Sequence, residues 1–440
     1  MRILYNILFT VFFLLSSPYY FWKMWRRGNW KRGFKERFGQ FGVKLKQGVT
    51  NRHVLWIHAV SVGEVNLATQ LIRALERRLP NLKIVVSTTT TTGMGRLEVL
   101  PSHIAKVYYP IDRRAYVSRA LASVHPNAFV LVEAEVWPNF LWKLQDRGTP
   151  AFLVNARLSE RSFRGYRRFG FLFRPLFRAF AGVGAQNEQD AARLLELGCR
   201  PEAIHVVGNL KFDAARVEER RVLDVEAMFR QLGVAPGARV LVAGSTHAGE
   251  EKILAEIFKR LKLRMPDLFL VVVPRHFERG KEVGRELDQA GVQFMYRSEV
   301  GITTQVEPGA ISCLLVNTTG ELRYFYEHAT AIFVGKSLVA QGGQNPIEPG
   351  ALGKAMVFGP NMQNFEPIAA SFVAKGGAVQ VANAAELERV LGELLDDAPR
   401  CAEMGRHAVE VVRANEGAVD RTVEMIVERL PVEATMVVRP

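Results

Sequence analysis

From residue 54 onward, short apolar runs alternate with stretches of helical spacing, and this alternation constrains the fold more than any other feature. Runs at 54–59, 82–87, 106–109, 128–132, 151–154 and 182–185 read as buried strands. Stretches at 114–123, 140–147 and 188–197 carry the helical period between them. The runs are continuous rather than alternating, so both of their faces must be covered. That is the pattern of a parallel sheet with helices on each side. A second series follows Asp213, with strands predicted at 240–243, 269–273, 313–316, 331–334, 355–358 and 378–381. Residues 214–237, charged and helical and ending in Ala-Pro-Gly, read as the inter-domain connection. The chain of 440 residues is long enough for two such domains. The expectation is two doubly wound domains, 38–213 and 238–440, facing each other across a cleft.

Composition matters for what the chain binds. A formal net charge of +14 asks for an anionic partner: nucleic acid, anionic lipid or a phosphorylated substrate. Cys199, Cys313 and Cys401 are too far apart for a disulfide framework or a zinc site, which fits a reducing compartment. The N-terminus answers part of the charge question. Residues 3–22 carry no charge and are just long enough to cross a bilayer core. Lys23, Arg26, Arg27, Lys31, Arg32, Lys35 and Arg37 follow, an order that places the rest of the chain on the cytoplasmic side. A signal peptide would have a shorter apolar region with its charges first. Residues 1–37 therefore read as a membrane anchor and its basic flank. Asn6, Ser16, Ser17 and Pro18 keep an interfacial helix open as the alternative.

Several stretches fall at predicted strand ends, where open α/β sheets bind ligands. The run at 54–59 leads through Ser61, Val62 and Gly63 into a helix expected from Glu64 to about Leu79. A carboxylate at that helix start either compensates the dipole or acts as a base. Glu133 and Glu135 lie just beyond the strand at 128–132, where unpaired acids are rarely tolerated. Capping of the next helix, with Pro138 in its first turn, needs only one of them, which leaves one for function. From Arg157 to Phe180, arginines at 157, 161, 164, 167, 168, 174 and 178 interleave with seven aromatic residues. A solvated basic face, base stacking on nucleic acid and a helix in an anionic membrane surface all use these ingredients. The apolar N-terminus favours the membrane, making Arg157, Arg164, Arg167 and Arg168 candidate acceptor or membrane contacts, with no nucleic-acid partner.

The second half carries the nucleotide signals. Residues 244–251 form a strand end, a small polar loop and an acidic helix start, able to bind an anion or simply to cap. Pro274, Arg275 and His276 follow a strand and place a guanidinium at the cleft edge, for a phosphate or a structural ion pair. A flexible glycine loop at 335–344 runs into Asn345 and Pro346, with Glu348 in the next helical turn. A phosphate would dock on that helix terminus while Glu348 took two ribose hydroxyls.

Seven motifs then stand in one order. They are Ser-Val-Gly-Glu at 61–64, Glu-Ala-Glu-Val-Trp-Pro-Asn at 133–139, Asn-Ala-Arg-Leu-Ser at 155–159 and Asn-Leu-Lys-Phe-Asp at 209–213. Ser-Thr-His-Ala-Gly-Glu at 245–250, Pro-Arg-His at 274–276 and Gly-Gly-Gln-Asn-Pro-Ile-Glu-Pro at 342–349 complete the series. Together they resemble the 3-deoxy-D-manno-octulosonic acid (Kdo) transferases over nearly the whole chain. The resemblance implies a GT-B fold of two Rossmann-like domains behind a membrane anchor, at the cytoplasmic face of a bacterial inner membrane. It implies inverting transfer of Kdo from CMP-Kdo to the lipid A precursor lipid IVA in lipopolysaccharide core biosynthesis, with no metal and no cofactor. It also implies roles: Glu64 as general base, Glu133 and Lys211 as transition-state stabilisers. Pro274, Arg275, Thr319, Gly320, Glu321, Asn345, Pro346, Ile347 and Glu348 match CMP contacts. Two positions depart from the family, Gln344 where many members have His and Asn317 where Asp is frequent.

The chemistry agrees with those roles. A carboxylate base takes the acceptor proton, and Arg275 offsets charge developing on the departing phosphate. Lys211, near the domain connection, would meet phosphate or the Kdo carboxylate on closure. A membrane-associated GT-B enzyme using another nucleotide sugar is the alternative. A non-enzymatic scaffold would leave Glu133 and Glu135 unexplained.

Overall fold

The computed structural model describes residues 1–26, 31–133, 135–214 and 223–430. Arg27 of the basic flank, residues 215–222 of the expected connection and residues 431–440 lie outside the described residues. Two compact units form, one from residues 1–214 with 416–440, the other from 215–415.

The first unit holds seven parallel strands, β1 (Val54–His58), β2 (Lys83–Thr88), β3 (Ala105–Tyr108), β4 (Ala128–Val132), β5 (Ala151–Ala156), β6 (Gly182–Ala185) and β7 (Ile204–Val206). Their order is β3-β2-β1-β4-β5-β6-β7. The second unit repeats the plan with β8 (Val240–Thr246), β9 (Phe269–Pro274), β10 (Phe294–Tyr296), β11 (Cys313–Leu315), β12 (Ala331–Val334), β13 (Ala355–Phe358) and β14 (Val379–Gln380). Here the order is β10-β11-β9-β8-β12-β13-β14. In each sheet the order reverses beside the first strand, between β1 and β4 and between β8 and β12. These are the topological switch points, where such sheets take their ligands.

β1 shows why the apolar runs are continuous. All five residues are buried, with Val54 and Trp56 feeding one core and Leu55 and Ile57 the other. Side chains alternate across a strand, so a strand covered on both faces needs apolar residues at every position. β7 and β10, three residues each, are the short edge strands that carried too little pattern to be read from the sequence.

Three boundaries differ from expectation. The helix after β1 is Val62–Arg78, so Glu64 is its third residue rather than its first. The helix Val225–Gln231, expected within the connection, belongs to the second unit. Its Val225, Met228 and Phe229 are buried at i, i+3 and i+4, and Phe229 meets Phe269 at 5.7 Å. Such a stripe needs a core to cover it. The expected C-terminal domain ends early, because the helix Ala418–Val427 packs in the first unit. Asp213 fastens it, accepting from the N–H groups of Gly417 (2.8 Å) and Val419 (2.6 Å), while Val423, Met425 and Ile426 enter the first unit's core.

The N-terminal apolar run is one helix, Arg2–Arg26, that continues through Pro18. It is long and apolar enough to cross a membrane. It also docks along the first unit. Arg2 pairs with Asp146 at 2.9 Å, Tyr5 donates to Asp112 at 2.8 Å, and the amides of Asn6 and Asn139 bond reciprocally. Tyr5, Asn6, Phe9, Thr10, Phe13, Ser16 and Ser17 form the partly buried stripe, and the apolar residues between them face outward. Near the far end Phe21 lies 6.5 Å from Phe34, which leads through Phe38 to Tyr116.

Candidate functional site

In the first unit the site grows from the turn after β1. Ser61 N-caps the helix Val62–Arg78, its hydroxyl accepting from the Glu64 N–H at 3.3 Å. The Glu64 carboxylate reaches back to the N–H groups of Val60 (2.8 Å) and Ser61 (3.3 Å), which completes a capping box. The hydroxyls of Thr88 and Thr90 both donate to the Val60 carbonyl and pin the turn to β2's end. Glu64 is therefore held at the helix start by two backbone N–H groups, where it can compensate the dipole and still face the switch point as a base. Both readings share one geometry.

Across the switch point, Glu133 leaves β4 with φ +60, a left-handed backbone that is uncommon outside glycine and costs on the order of 1–3 kcal/mol. Burial raises the Glu133 carboxyl and the charge of Glu64 raises it further, while Lys211, Arg157 and the Asn155 amide pull it back. Burial likewise lowers Lys211, opposed by Glu133. Burial thus favours the neutral form of each, and the charge of the other opposes it. Glu135, pushed up to about 7 by desolvation and by Glu64, completes a group of three carboxylates. Buried His58 stacks on Tyr109 at 3.7 Å and is lowered to about 3, so its ring is neutral.

Neither Glu133 nor Glu135 caps the next helix, Pro138–Gln145. Buried Asp112 does, accepting from the N–H groups of Asn139 and Phe140 at 2.9 Å each. Burial raises the Asp112 carboxyl to about 7. A single isolated Asp between β3 and its following helix gave no sequence signal for that contact.

The arginines divide. Arg157, expected with the others as an acceptor or membrane contact, acts on Glu133, Lys211 and Asp190, beside the carboxylates. Arg164, Arg167 and Arg168 are exposed on the helix Glu160–Arg168. Arg164 lies 3.7 Å from Glu160 and Arg167 pairs with Glu196 at 3.2 Å. Of the aromatics, Phe163, Phe177 and Phe180 are core residues, and only Phe169 and Phe171 are exposed. Asn155, which opens the Asn-Ala-Arg-Leu-Ser motif, is fully buried at φ +51. Its side-chain oxygen accepts from Leu210 N–H at 3.1 Å, beside Lys211.

In the second unit the loop at 244–251, read as an anion site or a cap, starts its helix at Glu250 without a side-chain cap bond. Glu250, fully buried, accepts from the N–H groups of Lys336 (2.7 Å), Ser337 (2.9 Å), Leu338 (2.9 Å) and His247 (3.0 Å). The start of the glycine loop is locked by this carboxylate rather than flexible. A side chain at Gly335 would place its Cβ 2.4 Å from the Ser245 carbonyl oxygen, so the loop sits flat against β8's end.

The terminus after Asn345, expected to take a phosphate, offers few free backbone donors. The helix Ile347–Ala351 has five residues, Pro346 and Pro349 lack N–H groups, and the Ile347 N–H already donates to Asn345 at 3.1 Å. Glu348 is raised by burial, with Asn345, Arg323 and Arg275 lowering it, which places Arg275 near this carboxylate. Glu321 accepts from Arg297 (3.1 Å) and from the Thr318 hydroxyl, with Gly320 in the turn at φ +81. Asn317 accepts from the Ser298 N–H at 3.0 Å and donates to its hydroxyl at 2.8 Å. Pro274 ends β9, and Arg275, Thr319, Gly320, Glu321, Asn345, Pro346, Ile347 and Glu348 follow strand ends or open helices of this one unit. Among the described residues no group of three or more His, Cys, Asp or Glu side chains is placed to hold a metal ion.

Two doubly wound parallel sheets, one with clustered carboxylates and the other with clustered cations at the switch point, are the architecture of the GT-B class to which many glycosyltransferases belong. A family model described as 3-deoxy-D-manno-octulosonic-acid transferase (kdotransferase) matches residues 32–214. The chain is 31% identical over 405 residues to the 3-deoxy-D-manno-octulosonic acid transferase of Haemophilus influenzae, covering 90% of this chain and 91% of that protein. It is 33% identical over 423 residues to the enzyme of the same name from Bordetella pertussis, covering 92% and 94%. The UDP-GlcNAc 2-epimerase of Neisseria meningitidis, solved with UDP-GlcNAc, shares the fold at TM-score 0.58 and 15% identity over 86% of this chain and 100% of that one. The chain belongs to the Kdo transferase family and is a glycosyltransferase of lipopolysaccharide biosynthesis.

Proposed function

We propose that the protein transfers Kdo from CMP-Kdo to lipid IVA, with inversion and without a metal. The observation that carries this reading is the meeting of Glu64, Glu133, Arg157 and Lys211 at the first sheet's switch point. Glu64 takes the proton of the acceptor hydroxyl, whose oxygen forms the new bond to the anomeric carbon. The bond from that carbon to the CMP phosphate oxygen breaks, and CMP leaves with the electron pair. Lys211, whose cationic form Glu133 favours against burial, and Arg157 balance the anionic groups gathered there. The donor side falls to the second unit, where Arg275 and Glu348 lie together. Purified full-length protein given CMP-Kdo and lipid IVA should yield Kdo-modified lipid in EDTA as well as in buffer, with inhibition by CMP and none by UDP. A product formed only from a UDP-sugar, or lost on chelation, would overturn the donor or the metal-free part of the reading.

The membrane contact is read as in-plane. The N-terminal helix is tied to the first unit at Arg2, Tyr5 and Asn6, and again near Phe21, so crossing the bilayer would break one end away. Its outward apolar face then enters one leaflet, with Phe169, Phe171 and the exposed Arg164, Arg167 and Arg168 adding to the inner-membrane surface. An impermeant thiol reagent outside intact spheroplasts should leave Ile3→Cys unlabelled. Replacing the three arginines by Ser should release more protein from anionic vesicles as salt rises, since each cation contributes about 1 kcal/mol. External labelling would show a spanning helix, and unchanged salt release would return these arginines to an ordinary solvated face.

A further inference from the structure

The backbone at the second sheet's switch point singles out a residue that no motif names. Lys336, two residues beyond β12, stands at φ +54 in the left-handed region, where L residues other than Asn and Asp are rare. Its conformation is imposed from both sides. The Lys336 N–H donates to Glu250 and its carbonyl accepts from Gly343 N–H at 2.9 Å. Gly335 cannot yield, because it lies against the Ser245 carbonyl, and Ser245 is itself at φ +55. A disfavoured conformation held this firmly asks what the side chain does there.

The side chain crosses the glycine loop. A Cβ built on Gly342 would come within 3.4 Å of the Lys336 Nζ. The ammonium has no hydrogen bond or ion pair among the described residues. Its neighbours are mostly cations. Desolvation, and after it the charges of Lys336, His276, Arg279 and Arg275, lower the His247 ring to about 4. The rings of His247 and His276 lie 5.7 Å apart. Arg279 is already engaged by Glu251 and Glu282, and the Glu250 oxygens are occupied by four backbone N–H groups. Arg275 has Glu348 nearby. Lys336 is thus a cation with an unanswered charge at the place where a doubly wound sheet receives its ligand.

We propose that Lys336 is a donor-binding residue, its ammonium taking the phosphate of the nucleotide sugar at this switch point. The assignment rests on the nucleotide-sugar reading above and adds to it the group that meets the phosphate, a part the five-residue helix at Ile347 is poorly built to play. An ordinary surface lysine would account for the charge but not for the imposed backbone.

The test uses Lys336→Gly, which suits φ +54, and Lys336→Gln, which keeps a side chain and loses only the charge. In full-length protein both should bind CMP about ten- to a hundredfold more weakly, the usual range for a hydrogen bond to a charged group. Cytidine, which has no phosphate, should bind all three proteins equally, and Lys336→Gly should melt no lower than wild type. Unchanged CMP affinity in both variants, or equal loss of CMP and cytidine, would overturn the proposal. Wild-type protein that binds UDP but not CMP would instead remove the CMP reading. Lys336 would then be judged by the same variants on UDP against uridine.

Discussion

Glu64→Gln should leave the fold and nucleotide binding intact and remove nearly all transfer. The capping box accepts Gln as well as Glu at its third position, because the amide oxygen can still take a backbone N–H from Val60 or Ser61. Stability should therefore change by less than the ~1 kcal/mol expected for losing a cap. An amide cannot take up a proton at neutral pH, so turnover should fall by about 10²–10⁴. Glu64→Ala should lose both, which makes the pair diagnostic. If the Gln variant turned over at wild-type rate, Glu64 would be a structural cap, and Glu135, in the same carboxylate group, would become the base to examine.

The second large effect is independent of any reaction. Glu250→Ala should destabilise the second unit by several kcal/mol. Its carboxylate answers four backbone N–H groups in a fully buried position. Each buried donor left without a partner costs about 1–3 kcal/mol, and partial relaxation keeps the total below a simple sum. Against a domain stability of about 5–15 kcal/mol this is a large share. Amide exchange at Lys336, Ser337 and Leu338 should accelerate before the rest of the unit opens. Glu250→Gln should fall between, since its NH₂ group faces donors where an acceptor is needed. Denaturation of the alanine variant within 1 kcal/mol of wild type would show that water replaces the carboxylate, and the loop would then be held by glycine packing alone.

Both expectations concern glutamates at helix starts, and the sequence treats the two alike. Ser61 and Glu64 show the spacing of a capping box, and that local pattern appears in the structure as written. Glu250 sits in an equally ordinary acidic first turn, yet three of its four partners are 86 to 88 residues away. Nothing in its neighbourhood indicates this. The same holds for Asp112, which caps a helix 27 residues later, and for Asp213, which caps one 204 residues later.

What the sequence determined by itself is whatever a strand or helix needs to be covered. Continuous apolar runs at β1, β4, β8 and β12 specify buried parallel strands, and their ends specify where ligand-facing loops must begin. The motif residues Glu64, Glu133 and Arg275 are legible there because each follows such an apolar run closely, whereas Lys211 lies beyond β7, which the sequence did not reveal, and is marked by its motif alone. The tertiary structure decided the rest. It drew Arg157 away from the arginines that follow it and set it beside Glu133. It returned the last described helix to the first unit, laid the N-terminal helix along that unit's surface, and twisted Lys336 into a conformation its residue type disfavours. Periodicity records which faces are buried, whereas these placements depend on hydrogen bonds and charges between residues far apart in the chain, and such bonds leave no period to read.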